Sequence, residues 1–297
     1  MSKVGFIGLG IMGKPMVKNL LQAGIDTTVY DISENAMAIL AKEGAKTATS
    51  PKEVASNKDV VITMVPNAAI VKSLLEGQDG ILAGACPGTV IVDMSSVSPV
   101  ASQEFAKLAA EKNCPFLDSP VSGGEPGAID GTLAFMIGGE EKTVEKIKYI
   151  FEAMGKSITV VGPNGSGSVA KLANQIMVNL NIAAVSEALV LAQKAGADPK
   201  KVYEAVRGGL AGSTVLDAKA PMMYSRNFKP GGTLAINLKD ITNVMDTAKS
   251  LNVPLILTSS LQQIMLSLKA NGHIMDDHSG IVQFYEKISD VIVKSQE

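Results

Sequence analysis

A chain of 297 residues with 46% hydrophobic side chains and a formal net charge of −2 is long for one core and natural for two domains. Nearly balanced charge, with no long basic run, excludes nucleic acid or an anionic membrane as principal partner, since each needs concentrated positive charge. Two cysteines distant in sequence, and His273 and His278 five residues apart, give neither a disulfide framework nor metal-ligand spacing, so no metal is expected.

The chain opens directly on Lys3-Val4-Gly5-Phe6-Ile7-Gly8, which reads as a buried strand rather than a secretory signal. No apolar run approaches the roughly 18–20 residues that span a bilayer. A reduced cytoplasmic protein with no membrane partner is expected. Further strands are predicted at Thr27–Asp31, Val60–Val65, Thr89–Asp93, Phe116–Asp118, Leu133–Ile137 and Thr159–Val161. Helical patterns lie between them at Ile11–Ala23, Glu34–Lys42, Ala68–Leu75, Pro99–Glu111 and Glu141–Met154. Alternating strands and helices imply βαβ units and a mostly parallel sheet. Gly24 and Gly44 stand where helix ends favour a left-handed residue, and Ser33 and Ser98 are candidate N-caps.

Beyond Gly162-Pro163-Asn164-Gly165 the pattern becomes helical. Ser168–Ala195 lacks proline and glycine and repeats near 3.6 residues, predicting one helix of seven or eight turns. Others are predicted at Pro199–Arg207, Thr233–Ser250, Ser259–Ala270 and Ser279–Lys294. The expected architecture is α/β: a Rossmann-type, doubly wound, mostly parallel sheet over residues 1–163. An all-α domain, 164–297, follows through a long interdomain helix.

Gly8-Leu9-Gly10-Ile11-Met12-Gly13 is a G-x-G-x-x-G between a buried strand and an amphipathic helix, the context a dinucleotide fingerprint requires. Its glycines serve a tight turn, close approach of a pyrophosphate, and helix-on-strand packing, and the helix N-terminus faces the phosphates. Gly8 to Lys14 also fits the start of a P-loop, but Pro15 lacks the hydroxyl that holds Mg²⁺. Asp31, 23 residues after Gly8, can accept both ribose hydroxyls and would repel a 2′-phosphate; its alternative is a turn residue before Ser33. NAD is favoured, with NADP the alternative.

Lys171, Asn174 and Gln175 share one face of the long helix, either as a solvated stripe or as part of a site where two domains meet. Asp118-Ser119-Pro120-Val121-Ser122-Gly123-Gly124 ends in glycines whose amides can hold a carboxylate. Asp93-Met94-Ser95-Ser96 closes a strand at the sheet's carboxyl edge. Each of these two stretches also reads as an ordinary strand-to-loop turn.

These stretches, with Gly165-Ser166-Gly167-Ser168-Val169-Ala170-Lys171-Leu172-Ala173-Asn174, occur in the order of the β-hydroxyacid dehydrogenase signatures, and the chain resembles that family over nearly its whole length. Gly123–Leu133, Arg207–Lys219 and Gln175 resemble the subgroup that reduces tartronate semialdehyde; Ile32 departs from it, standing where arginine is expected. The resemblance implies NAD(P)H-dependent, reversible reduction of a small carboxylate-bearing aldehyde to a hydroxy acid, with hydride passing between cofactor and carbonyl carbon. The alternatives are 3-hydroxyisobutyrate, 2-(hydroxymethyl)glutarate, or succinic semialdehyde and glyoxylate as substrates, or a dinucleotide-binding module without catalysis. It implies Lys171 as general acid/base, with Ser122, Gly123, Gly124, Asn174 and Gln175 on the substrate. Val65, Pro66, Asn67, Ser96 and Lys239 join the fingerprint and Asp31 on the cofactor. A homodimer or homotetramer is expected.

Overall fold

The computed structural model describes residues 3–295. Its first part alternates β1 (Lys3–Ile7), α1 (Gly13–Gln22), β2 (Asp26–Tyr30), α2 (Glu34–Lys42), β3 (Lys46–Thr47), α3 (Pro51–Ala55), β4 (Val60–Thr63), α4 (Ala68–Leu75), α5 (Ile81–Gly84), β5 (Val90–Asp93) and α6 (Pro99–Ala110). There follow β6 (Phe116–Asp118), β7 (Val121–Ser122), α7 (Gly124–Ile129), β8 (Leu133–Gly138), α8 (Glu141–Glu152) and β9 (Gly155–Gly162). The strands run in the order β3-β2-β1-β4-β5-β6-β8-β7, with β9 on β8. Pairings from β1 to β6 are parallel, and β8 meets β6 and β7 antiparallel. This is the expected doubly wound, mostly parallel sheet.

The period of two along each strand builds a core on either face. Val4, Phe6, Val60, Ile62, Val90 and Val92 enter one apolar cluster with α1 and α8. Ile7, Val61 and Ile91 point the other way, into a cluster with Val71, Leu75 and Phe105. From the paired strands β1 and β4 the chain moves outward in opposite directions along the sheet, so the connections that leave their carboxyl ends diverge. Such a switch point is where doubly wound sheets bind ligands. Ser33 and Ser98 cap α2 and α6 through hydrogen bonds from the Ala36 and Ala101 amides, and Gly24 and Gly44 have φ of +75° and +104°.

The second part is helical: α9 (Ser166–Lys194), α10 (Pro199–Val206), α11 (Thr214–Tyr224), α12 (Leu234–Ser250), α13 (Ile256–Ala270), a 3-10 turn at His278–Ile281 and α14 (Val282–Ser289). Ile182, Leu189, Leu216, Met223, Leu234, Ile241, Leu261, Met265 and Val282 form its core. The chain divides into compact units between Lys171 and Leu172, inside α9.

Three expectations need correction. The last helix stops at Ser289 because Asp290 adopts φ 48°, ψ 58°, a left-handed geometry that ends an α-helix. No helix is predicted over α11, because Pro221 lies inside it and glycines crowd the preceding loop; the signal for it is Ser213, whose hydroxyl accepts from the Leu216 amide as the N-cap. By length and composition α9 could cross a membrane, with mean hydropathy 1.5 and 44% of its most apolar window buried inside the protein. Scattered polar residues had broken that run in the sequence.

Candidate active site

The fingerprint glycines divide the work as their spacing implies. Gly8 has φ +100°, and a Cβ there would fall 2.2 Å from the Met64 carbonyl oxygen. At Gly13 a Cβ would lie 1.9 Å from the Gly8 carbonyl, so helix and turn touch. A Cβ on Gly10 would meet nothing within 4 Å. The fold therefore needs Gly8 and Gly13, while Gly10 keeps open space before the N-terminus of α1. That is the cradle a pyrophosphate requires. Leu9 is buried and Ile11 about half exposed, and Met12 stands at the helix N-cap position.

Asp31 follows β2, and its carboxylate is fixed by two backbone donors. The Leu9 amide donates to Oδ2 at 2.6 Å and the Ser33 amide to Oδ1 at 2.8 Å. The two readings of Asp31 thus coincide geometrically, because the turn orients a half-buried carboxylate beside the glycine loop. Ile32 beside it is 93% exposed.

Parallel register sets the other cofactor candidates on the same edge. Ile7 pairs with Tyr30 and Thr63, Thr63 with Asp93, and Asp93 with Asp118. Val65, Pro66, Asn67 and Ser96 all follow that row. The Val65 amide donates to Ser95 Oγ at 3.0 Å, and Asn67 caps α4 through the Ile70 amide. Beneath them Asp93 is fully buried and accepts from Thr63 Oγ1 at 2.8 Å and the Ser95 amide at 3.1 Å. Burial pushes its carboxyl up to about 6, against the lowering effect of those hydrogen bonds.

The Asp118–Gly124 stretch lies one strand further along. Gly123 and Gly124 have φ of +130° and +61°, open to glycine and strained for other residues, and both are exposed beside half-buried Ser122. Lys171, half-buried in the second turn of α9, donates from Nζ to the Val121 carbonyl at 2.8 Å. The ammonium thus lies against the residue preceding Ser122.

In the second unit, Asn174 Nδ2 donates to Gln175 Oε1 at 2.9 Å, and Gln175 Nε2 to Asp240 Oδ2 at 2.6 Å. Lys239 Nζ lies 3.1 Å from Asp240 Oδ1. Buried Asp240 thus links the two polar residues of α9 to the lysine on α12. Asp240 is not among the site residues read from the sequence; it lies on the buried face of α12 with Asn237 and Ile241. Among the described residues no cluster of His, Cys, Asp or Glu could hold a metal ion.

The family model described as the NAD binding domain of 6-phosphogluconate dehydrogenase matches residues 3–162. That described as the NAD-binding of NADP-dependent 3-hydroxyisobutyrate dehydrogenase matches residues 165–285. The chain is 44% identical to the 2-hydroxy-3-oxopropionate reductase of Escherichia coli, covering 96% of this chain and 97% of that one. It is 38% identical to the 2-(hydroxymethyl)glutarate dehydrogenase of Eubacterium barkeri, covering 98% and 97%. Among solved structures, the 3-hydroxyisobutyrate dehydrogenase of Mycobacterium tuberculosis with L-serine superposes with a TM-score of 0.89 at 31% identity, covering 96% and 99%.

The fold and fingerprint define an NAD(P)-dependent oxidoreductase. The chain belongs to the β-hydroxyacid dehydrogenase family related to 3-hydroxyisobutyrate dehydrogenase, whose reaction is at the CH–OH group of a small hydroxy acid.

Proposed function

We propose that this enzyme reduces tartronate semialdehyde (2-hydroxy-3-oxopropanoate) to D-glycerate, reversibly, with NADH as the preferred cofactor. The observation that carries the reading is Lys171 Nζ bound 2.8 Å from the Val121 carbonyl, next to Ser122. The relative at 44% identity, a 2-hydroxy-3-oxopropionate reductase, supports the substrate. Asp31, oriented by two amides at the end of β2, supports NAD over NADP.

The nicotinamide supplies the hydride when bound. Lys171 donates a proton to the forming alkoxide in reduction and, as neutral amine, takes it back in oxidation. Its charge also favours the developing oxyanion. Ser122 and the amides of Gly123 and Gly124 hold the substrate carboxylate. Asn174 hydrogen-bonds the substrate oxygens; Gln175, whose amide is engaged at both ends, assists by orienting Asn174. Gly8 through Gly13, Asp31, Val65, Pro66, Asn67, Ser96 and Lys239 hold the cofactor. Residues 1–163 form the cofactor domain and 164–297 the substrate domain, in a cytoplasmic homodimer or homotetramer.

Initial rates on a panel of tartronate semialdehyde, 3-hydroxyisobutyrate, 2-(hydroxymethyl)glutarate, succinic semialdehyde and glyoxylate, each with both cofactors, test the reading. The highest kcat/KM is expected for tartronate semialdehyde with NADH. Brisk oxidation of 3-hydroxyisobutyrate beside negligible turnover of tartronate semialdehyde would overturn it.

A further inference from the structure

Helix α9 begins without a cap of its own. The residue before it is Gly165 at φ +94°, which has no side chain to satisfy the first amides, and those amides have no partner within a helix. The missing acceptor comes from 47 residues upstream. Asp118 Oδ1 accepts from the Gly165 amide at 2.7 Å and Oδ2 from the Ser168 amide at 2.9 Å. Asp118 is 1% exposed, so these bonds form out of water, where their loss is costly.

The surroundings hold the helix end against Asp118. A Cβ on Gly167 would fall 2.4 Å from the Met136 carbonyl and 2.5 Å from that of Asp118, and one on Gly138 would fall 2.5 Å from Asp118 Oδ1. Ser168 and Ser102, both buried, share a hydroxyl–hydroxyl bond of 2.9 Å. Lys171 lies three residues beyond Ser168, about 4.5 Å along the axis at the α-helical rise. Its ammonium returns to the Val121 carbonyl, three residues beyond Asp118.

We propose that Asp118 is a positioning residue for the proton donor: by capping α9 it sets the height of Lys171 against the Val121–Gly124 loop. One short segment then grips the helix twice, by a carboxylate at its end and by a carbonyl at the lysine. The hydrogen bonds that set this register lie within the first unit. The proposal rests on Lys171 being the donor. Burial pushes the Asp118 carboxyl up, while the two amides act to keep it ionised. A charged acceptor at a helix N-terminus is also favoured by the helix dipole.

Asp118→Asn keeps the size but presents an NH2 group to one of the two amides. In the folded variant kcat is expected to fall about 100-fold, as for a small displacement of a catalytic group, while the NADH dissociation constant stays within about twofold. The solvent isotope effect on kcat should rise, because proton transfer becomes more limiting; loss of stability alone would leave it unmoved. Wild-type kcat in folded Asp118→Asn would overturn the proposal.

Hydrogen exchange on the unmutated, cofactor-free protein tests the cap without any variant. The Gly165 and Ser168 amides should exchange at least about 100-fold slower than in an open chain, and exchange near the free rate would overturn the proposal. Lys171→Ala belongs in the same series. If it is inactive while Asp118→Asn is fully active, the positioning role alone fails. If it keeps its turnover, the donor assignment itself fails.

Discussion

Lys171 and Val121 are joined by a hydrogen bond of 2.8 Å from ammonium to backbone carbonyl, although 50 residues separate them. Replacing Lys171 by Ala removes the cation and its bond to this carbonyl. Turnover should fall by about 10²- to 10⁴-fold, the usual contribution of a general acid. NADH affinity, measured by fluorescence titration, should change little, since the glycine loop and Asp31 lie on other strands. A binding module without catalysis would show no loss, because it would have no turnover to lose.

The two glycines at either end of the Gly10-Ile11-Met12-Gly13 turn should behave oppositely. Gly10→Ala adds a methyl where nothing lies within 4 Å, so the melting temperature should hold while NADH affinity drops at least about tenfold through crowding of the phosphates. Gly13→Ala forces a methyl to 1.9 Å from the Gly8 carbonyl and should lower stability by about 1–3 kcal/mol, as overpacking does. Thermal melts with and without NADH separate the two. A Gly10→Ala protein that binds NADH as the wild type does would contradict the cradle.

Ile32 is 93% exposed beside the fixed carboxylate of Asp31. Ile32→Arg should leave the fold intact and raise the NADPH-to-NADH ratio of kcat/KM by about tenfold or more, since a guanidinium can meet a 2′-phosphate. An unchanged ratio would show that selectivity resides elsewhere on the edge.

A buried carboxyl and a partly buried imidazole shift in opposite directions over one pH range. Burial, with Asp118 nearby, raises the Asp93 carboxyl from 3.8 to about 6, so the folded first unit binds a proton that the unfolded chain releases. Its stability falls as pH rises from about 4 to 6. Burial and the Lys219 ammonium lower His278 from 6.5 to about 4, against the opposing effect of Asp277. There the unfolded chain binds the proton, so the second unit gains stability over the same rise. Displacements of this size correspond to roughly 3 kcal/mol each. Asp277 adds to the acid sensitivity: despite burial it is held below its usual range by the Ser279 amide, His278 and Lys219. Hydrogen exchange at pH 4.5 and 7 should show the helical unit loosening first in acid, and Asp93→Asn should flatten the response of the sheet unit. Uniform loosening of both units would contradict these assignments.

Local requirements were legible in the sequence, and distant ones were not. The need for Gly13 arises against the Gly8 carbonyl five residues back, whereas Gly8 also meets the distant Met64 carbonyl. The period of two in Val4, Phe6 and Ile7 sorts them to opposite faces, so the β1–α1 unit could be read directly. The helix bearing Lys171, Asn174 and Gln175 followed from periodicity, but periodicity does not say where a lysine's ammonium binds. Asp118 gave no sign of its cap because the donors are main-chain amides 47 and 50 residues away. Cys86 and Cys114 look unrelated in the chain, yet Cys114 Sγ lies 3.5 Å from the Cys86 carbonyl, with both thiols free. Such pairings depend on which strands become neighbours, information that no local window contains.

The exposure of Ile32 has an evolutionary consequence. A side chain so exposed is free to drift, so substitution there costs the sheet almost nothing while altering the charge beside the Asp31 carboxylate. With the ribose at Asp31, as proposed above, single mutations at this position would change cofactor preference without a new scaffold and without disturbing the lysine-bearing helix.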